Sequence, residues 1–285
     1  MATELKEVIY SSRAATRNPF KVFTQVRGEL KEATQLGYRL ARRNITAQYR
    51  QSILGLFWAI LPPLVNSLVW IILQSQQVIK FEELPVPYPV FVFSGTLLWQ
   101  LFSKSITLVL SSAQSNKGLL SKINFPREAL IFSAIYEILF NAIISLVIIF
   151  VALLAFGIPM GWHTLFALFG VLSIVLFGVM LGLWLFPLSM LYRDIQMGLP
   201  IVLQFAMYLT PVIYPMPDYS GWGKVLAFNP FTPLLQTTRN WLLGLPAQSQ
   251  YYGFFIIIGI SLVLLMAGLV LYRLAMTIII ERIGS

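Results

Sequence analysis

The sequence predicts an all-α integral membrane protein with an N-terminal amphipathic interfacial helix, six transmembrane helices and short re-entrant helices before the last span. Two observations point to this class. The 285 residues are 58% hydrophobic and only 11% charged, whereas a soluble domain carries about a quarter charged residues. The apolar residues are also gathered into long runs, with a mean hydropathy of +0.77 over the chain. Because the sequence contains no cysteine, disulfides and cysteine-ligated metals are excluded.

Residues 1–52 are predicted to form a cytoplasmic basic arm that contains the amphipathic helix. Residues 1–50 hold ten Lys and Arg against four Glu. From Glu29 to Arg50, the apolar and basic residues fall on different faces of a 3.6-residue helix. The apolar positions are Leu30, Ala33, Gly37, Leu40, Ala41 and Ile45, and the basic ones are Lys31, Arg39, Arg42, Arg43 and Arg50. We expect this helix to lie in the headgroup layer, against anionic lipid. The alternative is a solvated arm that only sets the topology.

Six apolar runs approach or exceed the roughly twenty residues that cross the hydrocarbon. They cover residues 53–78, 89–110, 129–156, 165–191, 195–213 and 252–274, and residues 275–285 follow as a tail. Six spans put both termini on one side of the membrane. That side collects sixteen Lys and Arg against three on the other. The positive-inside rule therefore predicts that both termini are cytoplasmic.

Two connections between the runs are unusual. The inner loop 111–128 is polar and basic, with a short helical core that Pro126 ends. The outer stretch 214–250 is rich in proline and aromatic residues, and its apolar pieces are too short to span. We expect short helices that dip back from the outer face, because non-helical backbone at membrane depth is tolerated only against protein or water. An ordinary surface loop is the alternative.

Two ionisable residues lie well inside the predicted spans, Lys104 in the second and Glu137 in the third. Charged groups at such depth are costly and are usually paired or functional. Both lie about 9–14 Å from the inner end of their helix at 1.5 Å per residue. We therefore predict an intramembrane ion pair between them, the alternative being that each faces a water-filled cavity.

Several chemistries are excluded or disfavoured by the sequence. It holds no G-x-x-x-x-G-K-[ST] loop, so the chain is not expected to bind ATP through a P-loop. No catalytic set and no metal site is predicted, and the single histidine, His163, is expected to be a surface residue. The basic balance suits a membrane face and gives no support for nucleic acid. Gly178 and Gly182 have the spacing that lets two helices approach closely.

Four segments carry a resemblance to a known family. Residues 47–63, AQYRQSILGLFWAILPP, match a Y-[KR]-x-S-x-L-G-x-x-W-x-x-x-x-P pattern that leads into the first span of type-2 ABC polysaccharide exporters. LYRDI at 191–195, NPFTP at 229–233 with Arg239 and Leu243-Gly244, and IERI at 280–283 also resemble that family. The chain is most similar to O-antigen exporter membrane subunits of the Wzm type, over residue 39 to the C terminus. Teichoic-acid permeases share the pattern.

The resemblance implies a homodimer in the bacterial inner membrane, with two cytoplasmic ABC ATPase subunits below it. An undecaprenyl-pyrophosphate-linked glycan would pass outward through a channel at the dimer interface. ATP and Mg would be used by the partner subunits, so this chain would bind no cofactor of its own and would not be an enzyme.

The same likeness suggests roles for individual residues. The predicted ATPase-coupling residues are Asn116, Lys117, Lys122, Phe125, Pro126, Arg127 and Glu128, with Arg193 and Asp194 as a second inner contact. The substrate-path candidates are Tyr49, Arg50 and Trp58, since the cation of Arg50 suits a phosphate. The outer-gate candidates are Trp222, Phe228, Asn229, Pro230, Phe231 and Arg239.

Other functions stay open at this point. The same kind of permease could carry a polyol-phosphate polymer, and a type-2 ABC permease for a small drug or lipid would show a different first-span motif. An ion channel or ion-coupled carrier would need a filter loop or buried carboxylates. A membrane enzyme would need a convergent acid, base or metal set. The sequence shows none of these features.

Overall fold

A computed structural model describes residues 19–50, 52–79, 84–116, 126–216, 221–245 and 251–284, without the side chains of 19–29, 222, 225 and 277–284. All regular structure in these ranges is helical. The helices are α1 (Pro19–Arg50), α2 (Phe57–Ser75), α3 (Tyr88–Ser115), α4 (Glu128–Ala155), α5 (His163–Leu191), α6 (Arg193–Tyr208), α7 (Trp222–Phe228), α8 (Phe231–Leu243) and α9 (Tyr251–Gly284).

Among the described residues, four helices are long and apolar enough to cross a membrane: Phe57–Ser75, Glu128–Ala155, His163–Leu191 and Tyr251–Met276. The sequence predicts six spans, and the other two lie on α3 and α6. Helix α3 has the length of a span but is more polar, with serine, threonine, glutamine and lysine along it. Helix α6 has only 16 residues, fewer than the roughly twenty that cross the hydrocarbon. The count of six therefore stays a prediction.

Helix α3 lies at the centre of the bundle and packs against α2, α4, α5, α6 and α8. Its closest approach is to α5, where the predicted glycine pair makes the contact. A Cβ on Gly178 would lie 2.5 Å from Ser105 Cβ, and one on Gly182 would lie 2.8 Å from Val109 Cβ. The glycines therefore let the two backbones approach as closely as the sequence spacing indicated.

The apolar face of α1 packs on protein. Ala33, Leu40 and Ala41 are buried, and a Cβ on Gly37 would lie 2.6 Å from Phe132 Cβ of α4. Contacts follow in the same order along both helices, from Gly37 beside Phe132 to Tyr49 beside Phe140. These contacts span about 18 Å of α1 and about 12 Å of α4, so the two helices run side by side. The sequence predicts an apolar face in the headgroup layer. In the structure α4 covers most of that face, because Ala33, Gly37 and Ala41 of α1 are small enough to admit a neighbouring helix. Among the side chains described for residues 30–50, Leu30 is the large apolar residue of this face that is exposed.

The fifth apolar run is helical for only part of its predicted length of 195–213. Helix α6 ends at Tyr208, and the next residues turn without continuing the helix. Pro211 supplies a reason, since proline cannot donate the next helical hydrogen bond. The turn is nevertheless buried, with Thr210 and Val212 at 0% exposure.

Among the described residues between α6 and α9 there are two short helices, α7 and α8. The sequence predicts re-entrant helices in this stretch, and their re-entry from the outer face stays a prediction. Helix α8 runs antiparallel to the first half of α5, with Phe231 beside Phe177 and Trp241 bonded to His163. Between these contacts, Thr238 lies where a Cβ on Gly170 would be. Helix α8 thus follows about 21 Å of a candidate span. It is almost entirely buried.

The histidine that the sequence predicts to be a surface residue is half-buried. His163 Nδ1 lies 2.8 Å from the carbonyl oxygen of Trp241. Because a carbonyl only accepts, the proton lies on Nδ1. His163 therefore fastens the start of α5 to the end of α8.

The α3–α5 contact is testable. We expect Gly178→Ala to lower the free energy of unfolding by about 1 to 3 kcal/mol, because the added methyl group overpacks a tight contact. Gly259→Ala on α9 is the matched control, since nothing lies within 4 Å of its Cβ position. Thermal unfolding of the purified protein in detergent measures both. Equal midpoints for the two variants would show that the contact is looser than described.

Candidate functional site

The bend between α1 and α2 lies within the motif at residues 47–63. Gly55 N donates to Ser52 Oγ at 3.0 Å, and Gly55 has a φ of +50°, a conformation that glycine adopts without strain. The Ser and Gly of the pattern are therefore the residues that redirect the chain into the first candidate span. The substrate-path candidates flank this bend, with Tyr49 and Arg50 before it and Trp58 after it.

The three substrate-path candidates differ in exposure. Arg50 and Trp58 are exposed, whereas Tyr49 is half-buried with its ring 6.3 Å from that of Phe140. Burial raises the pKa of the Tyr49 phenol above its ordinary value of 10.0. The phenol therefore stays protonated at neutral pH and keeps its hydrogen-bond donor.

Arginines gather in a concave surface on α1. A cavity of about 760 Å³ is lined by Arg39, Arg42, Arg43, Thr46, Ala47 and Arg50. These positions recur every three or four residues, and all four arginines are exposed, although Arg43 also reaches Asn116 at the end of α3. Guanidinium groups in such an arrangement bind phosphate oxygens well. The structure thus adds Arg39 and Arg42 to the cationic neighbourhood of Arg50.

The predicted Lys104–Glu137 ion pair is wrong, because each of the two groups has a different partner. Lys104 Nζ donates to Asn141 Oδ1 at 2.8 Å, and Asn141 Nδ2 donates to the backbone oxygen of Glu137 at 2.7 Å. The Glu137 carboxylate instead accepts from Asn44 Nδ2 at 2.8 Å and from Ser133 Oγ at 3.2 Å. The sequence indicates a similar depth for the two residues, but a residue of α1, Asn44, is the partner of Glu137.

The coupling candidates are only partly described. Lys117, Lys122 and Phe125 lie outside the described residues. Pro126, Arg127 and Glu128 are half-buried, and Arg193 and Asp194 are exposed at the start of α6. The Asn116 side chain is only 4% exposed and is used within the chain. Asn116 is therefore not a surface contact for a partner.

The outer-gate candidates Asn229 and Arg239 hold the buried turn after α6. Asn229 Nδ2 donates to the Leu209 carbonyl at 3.3 Å and to Thr210 Oγ1 at 2.8 Å. Arg239 Nη1 donates to the carbonyls of Pro211 at 3.1 Å and Val212 at 3.2 Å. Backbone polar groups that leave a helix in a buried place need such partners.

Residues of α3 complete the same arrangement. Tyr88 Oη donates to the Ile213 carbonyl at 2.9 Å, and the guanidinium carbon of Arg239 lies 3.7 Å from the centroid of the Phe91 ring. A Cβ on Gly95 would collide with the backbone oxygen of Val212, so glycine is required there. Together these groups, the Arg239 clamp, fix the end of α6 between α3 and α8.

The other outer-gate candidates have separate environments. Phe231 is buried, and its ring is stacked on Phe102 at 4.2 Å and edge-on to Trp99 at 5.1 Å. Phe228 and Pro230 are exposed. Trp222 begins α7, and its side chain lies outside the described residues. The candidates therefore do not form one cluster, since Phe231 anchors α8 while Phe228 is 89% exposed.

An uncharged pocket, the neutral pocket, lies between α2, α3 and α6, where the sequence predicts no site. Its volume is about 250 Å³. The polar lining residues are Asn66, Thr96, Gln100, Ser103, Thr107 and Gln204, and the others are Pro62, Pro63, Trp99, Pro200, Leu203 and Met207. None of the described lining residues is charged. The Thr96 and Thr107 hydroxyls donate to backbone carbonyls of α3. The amides of Asn66, Gln100 and Gln204 can both donate and accept hydrogen bonds, so they suit a ligand with hydroxyl groups.

A signal for the neutral pocket is present in the sequence. Thr96, Gln100, Ser103 and Thr107 recur at intervals of four, three and four residues, which is one face of a helix. The ion-pair hypothesis drew attention to Lys104 instead, which lies on a different face. Asn66 and Gln204 come from two other helices, and only the tertiary structure brings them to this face of α3.

Comparison with known proteins places the chain among transporters. Residues 35–243 match the family model described as ABC-2 type transporter. The O-antigen export system permease protein RfbA of Myxococcus xanthus is 31% identical over 210 residues, covering 73% of this chain and 80% of that protein. The protein of the same name from Klebsiella pneumoniae is 22% identical over 78% of this chain and 86% of its own length. The polysialic acid transport protein KpsM of Escherichia coli is 24% identical over 81% of this chain and 90% of its own length.

The Arg239 clamp is testable by a substitution that keeps the charge. We expect Arg239→Lys to destabilise the protein by about 1 to 3 kcal/mol, because lysine lacks the planar fork and leaves a buried carbonyl unpaired. Arg42→Lys makes the same change on the exposed surface and should leave the unfolding midpoint unchanged. Thermal unfolding in detergent compares the two. An unaltered midpoint in Arg239→Lys would contradict the clamp.

Proposed function

The chain belongs to the ABC-2 type transporter family, and from this premise we propose that it is the permease subunit of an ATP-driven exporter of a lipid-linked polysaccharide such as O-antigen. The family and the names of the relatives support a membrane permease of the polysaccharide-export type. The finer elements of the proposal are an undecaprenyl-pyrophosphate carrier, outward transport across the bacterial inner membrane, and cytoplasmic N and C termini.

The proposed assembly is a homodimer with two copies of a separate ABC ATPase subunit. The ATPase would use ATP and Mg, and this chain would transmit the resulting movement. Loop 111–128 is the proposed docking segment, with Lys117, Lys122, Phe125, Pro126, Arg127 and Glu128 as contacts and with Arg193 and Asp194 beside it. Pro126 to Glu128 and the start of α6 lie at the ends of helices that continue into the bundle, which suits the transmission of movement.

The observation that carries the proposal is the neutral pocket together with the exposed amides beside it. Asn66 lies on α2, a candidate span, and its side chain is exposed, as is that of Gln204 on α6. Facing hydrocarbon, an unpaired amide costs several kcal/mol. These side chains therefore call for water, a polar substrate or a second protein surface. A glycan conduit completed by a second copy of the chain supplies all three.

The pocket chemistry suits a glycan better than a small apolar drug. Sugar hydroxyls donate and accept, as do the amides of Asn66, Gln100 and Gln204. The prolines at 62, 63 and 200 lie inside helices and leave the carbonyls of Trp58, Ala59 and Gln196 without their usual helical donor. We propose that the glycan passes along this face. The arginine concavity beside Tyr49, Arg50 and Trp58 would then receive the pyrophosphate.

The buried position of α8 supports a role in closing the outer end of the conduit. Helices α7 and α8 would form the outer gate. Asn229 and Arg239 would keep it attached to the turn after α6, and the exposed Phe228 would lie at its edge. A polyol-phosphate polymer is the second candidate cargo, because its phosphates would also suit the arginine concavity. Its lipid carrier could be the same, so analysis of the cargo itself is needed to separate the two.

Loss of the gene in its native host tests the function as a whole. We expect surface polysaccharide to disappear and undecaprenyl-linked polymer to accumulate on the inner membrane. Both should be restored by this chain together with its ATPase. The trapped polymer identifies the cargo as a glycan or a polyol phosphate. Unchanged surface glycan, with nothing trapped and no second exporter, would refute polysaccharide export.

Substitutions in the neutral pocket test the conduit. We expect Asn66→Leu and Gln204→Leu to lower surface polysaccharide several-fold, because each removes a hydrogen-bonding group and narrows the path. ATPase association should be unaffected. Gln76→Leu is the control, since it makes the same change at an exposed amide just after α2, outside the pocket. Wild-type export by both pocket variants would exclude this face as the conduit.

A further inference from the structure

The two ends of the segment between α3 and α4 are each held by a helix that is distant in sequence. At the first end, Arg43 Nη2 of α1 donates to Asn116 Oδ1 at 2.6 Å. At the second end, Tyr272 Oη of α9 donates to the backbone oxygen of Arg127 at 3.0 Å. This segment is the proposed coupling loop, so α1 and α9 are both tied to it.

The Asn116 side chain is built to hold Arg43 in one position. It is almost fully buried, and its Nδ2 donates to the Ser112 carbonyl at 2.8 Å. This bond fixes the amide plane, so Oδ1 faces α1. A guanidinium donating to a fixed acceptor gives a short, directional, charge-assisted bond.

Arg43 is also fixed from its own side. Its Nε and Nη2 donate to Asn44 Oδ1 at 3.2 and 3.0 Å, and Asn44 in turn donates to the Glu137 carboxylate of α4. The chain of bonds runs from α3 through α1 to α4 without a gap. With the tight packing at Gly37, it makes this part of α1 one unit with the first half of α4.

The tie at the second end rests mainly on Tyr272. That residue is fully buried, and its ring lies 4.7 Å from that of Phe186 on α5. The neighbouring contact between Arg273 Nε and Glu128 Oε1 is 2.6 Å long, but its side chains are 56% and 26% exposed. An ion pair as exposed as this contributes little. Tyr272 therefore provides the firm attachment.

We propose that the Arg43–Asn116 bond transmits movement of the coupling loop to α1, while the Tyr272 bond holds the far end of the loop against α5 and α9. Because α1 leads into the bend at Ser52 and Gly55, a shift at Asn116 would move the arginine concavity relative to the first candidate span. ATP-driven movement would thereby reach the residues that receive the lipid-linked substrate. This inference rests on the proposed function, since it assumes that the loop docks the ATPase.

The test measures export and ATP hydrolysis together in vesicles containing the full permease, its ATPase and the lipid-linked polymer isolated from the deletion strain. We expect Arg43→Gln and Asn116→Ala each to lower polymer exported per ATP hydrolysed several-fold, with ATPase association retained. The double variant should export no less polymer per ATP than either single variant, because both substitutions break the same linkage. Lys31→Ala, an exposed cation earlier on α1, is the charge-matched control and should export normally.

A cross-linking arm separates the linkage from a general effect on folding. The natural chain has no cysteine, so Arg43→Cys with Asn116→Cys introduces a single reactive pair. We expect the pair to export poorly when reduced and to regain export when a short dithiol-reactive cross-linker joins the two positions. Single-cysteine variants should show no recovery.

The outcomes are distinguishable. If the wild-type vesicles show no ATP-dependent export of the polymer, the proposed function fails. If they export and the Arg43 and Asn116 variants keep a wild-type export ratio, the linkage alone is refuted. Strictly additive losses, or no recovery on cross-linking, would likewise exclude transmission through this bond.

Discussion

The packing of α3, α6 and α8 depends most on the hydrogen bonds that the backbone carbonyls of the buried turn after α6 accept. Helix α6 ends at Tyr208, and the carbonyls of the following residues lie inside the protein, where an unpaired carbonyl costs more than a hydrogen bond contributes. Asn229, Arg239 and Tyr88 together bind the carbonyls of Leu209, Pro211, Val212 and Ile213. These three donors come from the connection before α8, from α8 and from α3. Satisfying one short turn therefore fixes three elements relative to one another.

Helix α3 separates two kinds of polar chemistry. Lys104 faces α4 and bonds to Asn141, in the same region as Asn44 and Glu137. Thr96, Gln100, Ser103 and Thr107 face α2 and α6 and line the neutral pocket. The charged groups are thus used to join helices. On the other side, the Thr96 and Thr107 hydroxyls donate to backbone carbonyls of α3, and the amides of Asn66, Gln100 and Gln204 line the pocket beside the proposed conduit. This separation suits a cargo recognised through hydroxyl groups.

Helix α1 is held by contacts with protein, whereas the sequence predicts that its apolar face lies in the headgroup layer. Packed along α4 and bonded to Asn116 through Arg43, it is part of the helical bundle and exposes Arg39, Arg42 and Arg50. A helix held only by lipid would slide on the membrane surface, whereas this one is attached to α3 and α4. The basic surface and the candidate path are therefore mechanically connected.

The sequence by itself determined the class of the protein and its long apolar helices. These follow from composition and hydrophobic runs, which act between residues close in sequence. It also predicted the close approach at Gly178 and Gly182. It named Asn229 and Arg239 only as outer-gate candidates, a role that stays a prediction. Only the tertiary structure decided that Lys104 and Glu137 have different partners, that α1 packs on α4 and that Asn66 and Gln204 line one pocket beside α3. Those outcomes depend on which helices become neighbours and on how each helix is rotated about its axis. A helix that is apolar on all sides specifies neither its neighbours nor its rotation.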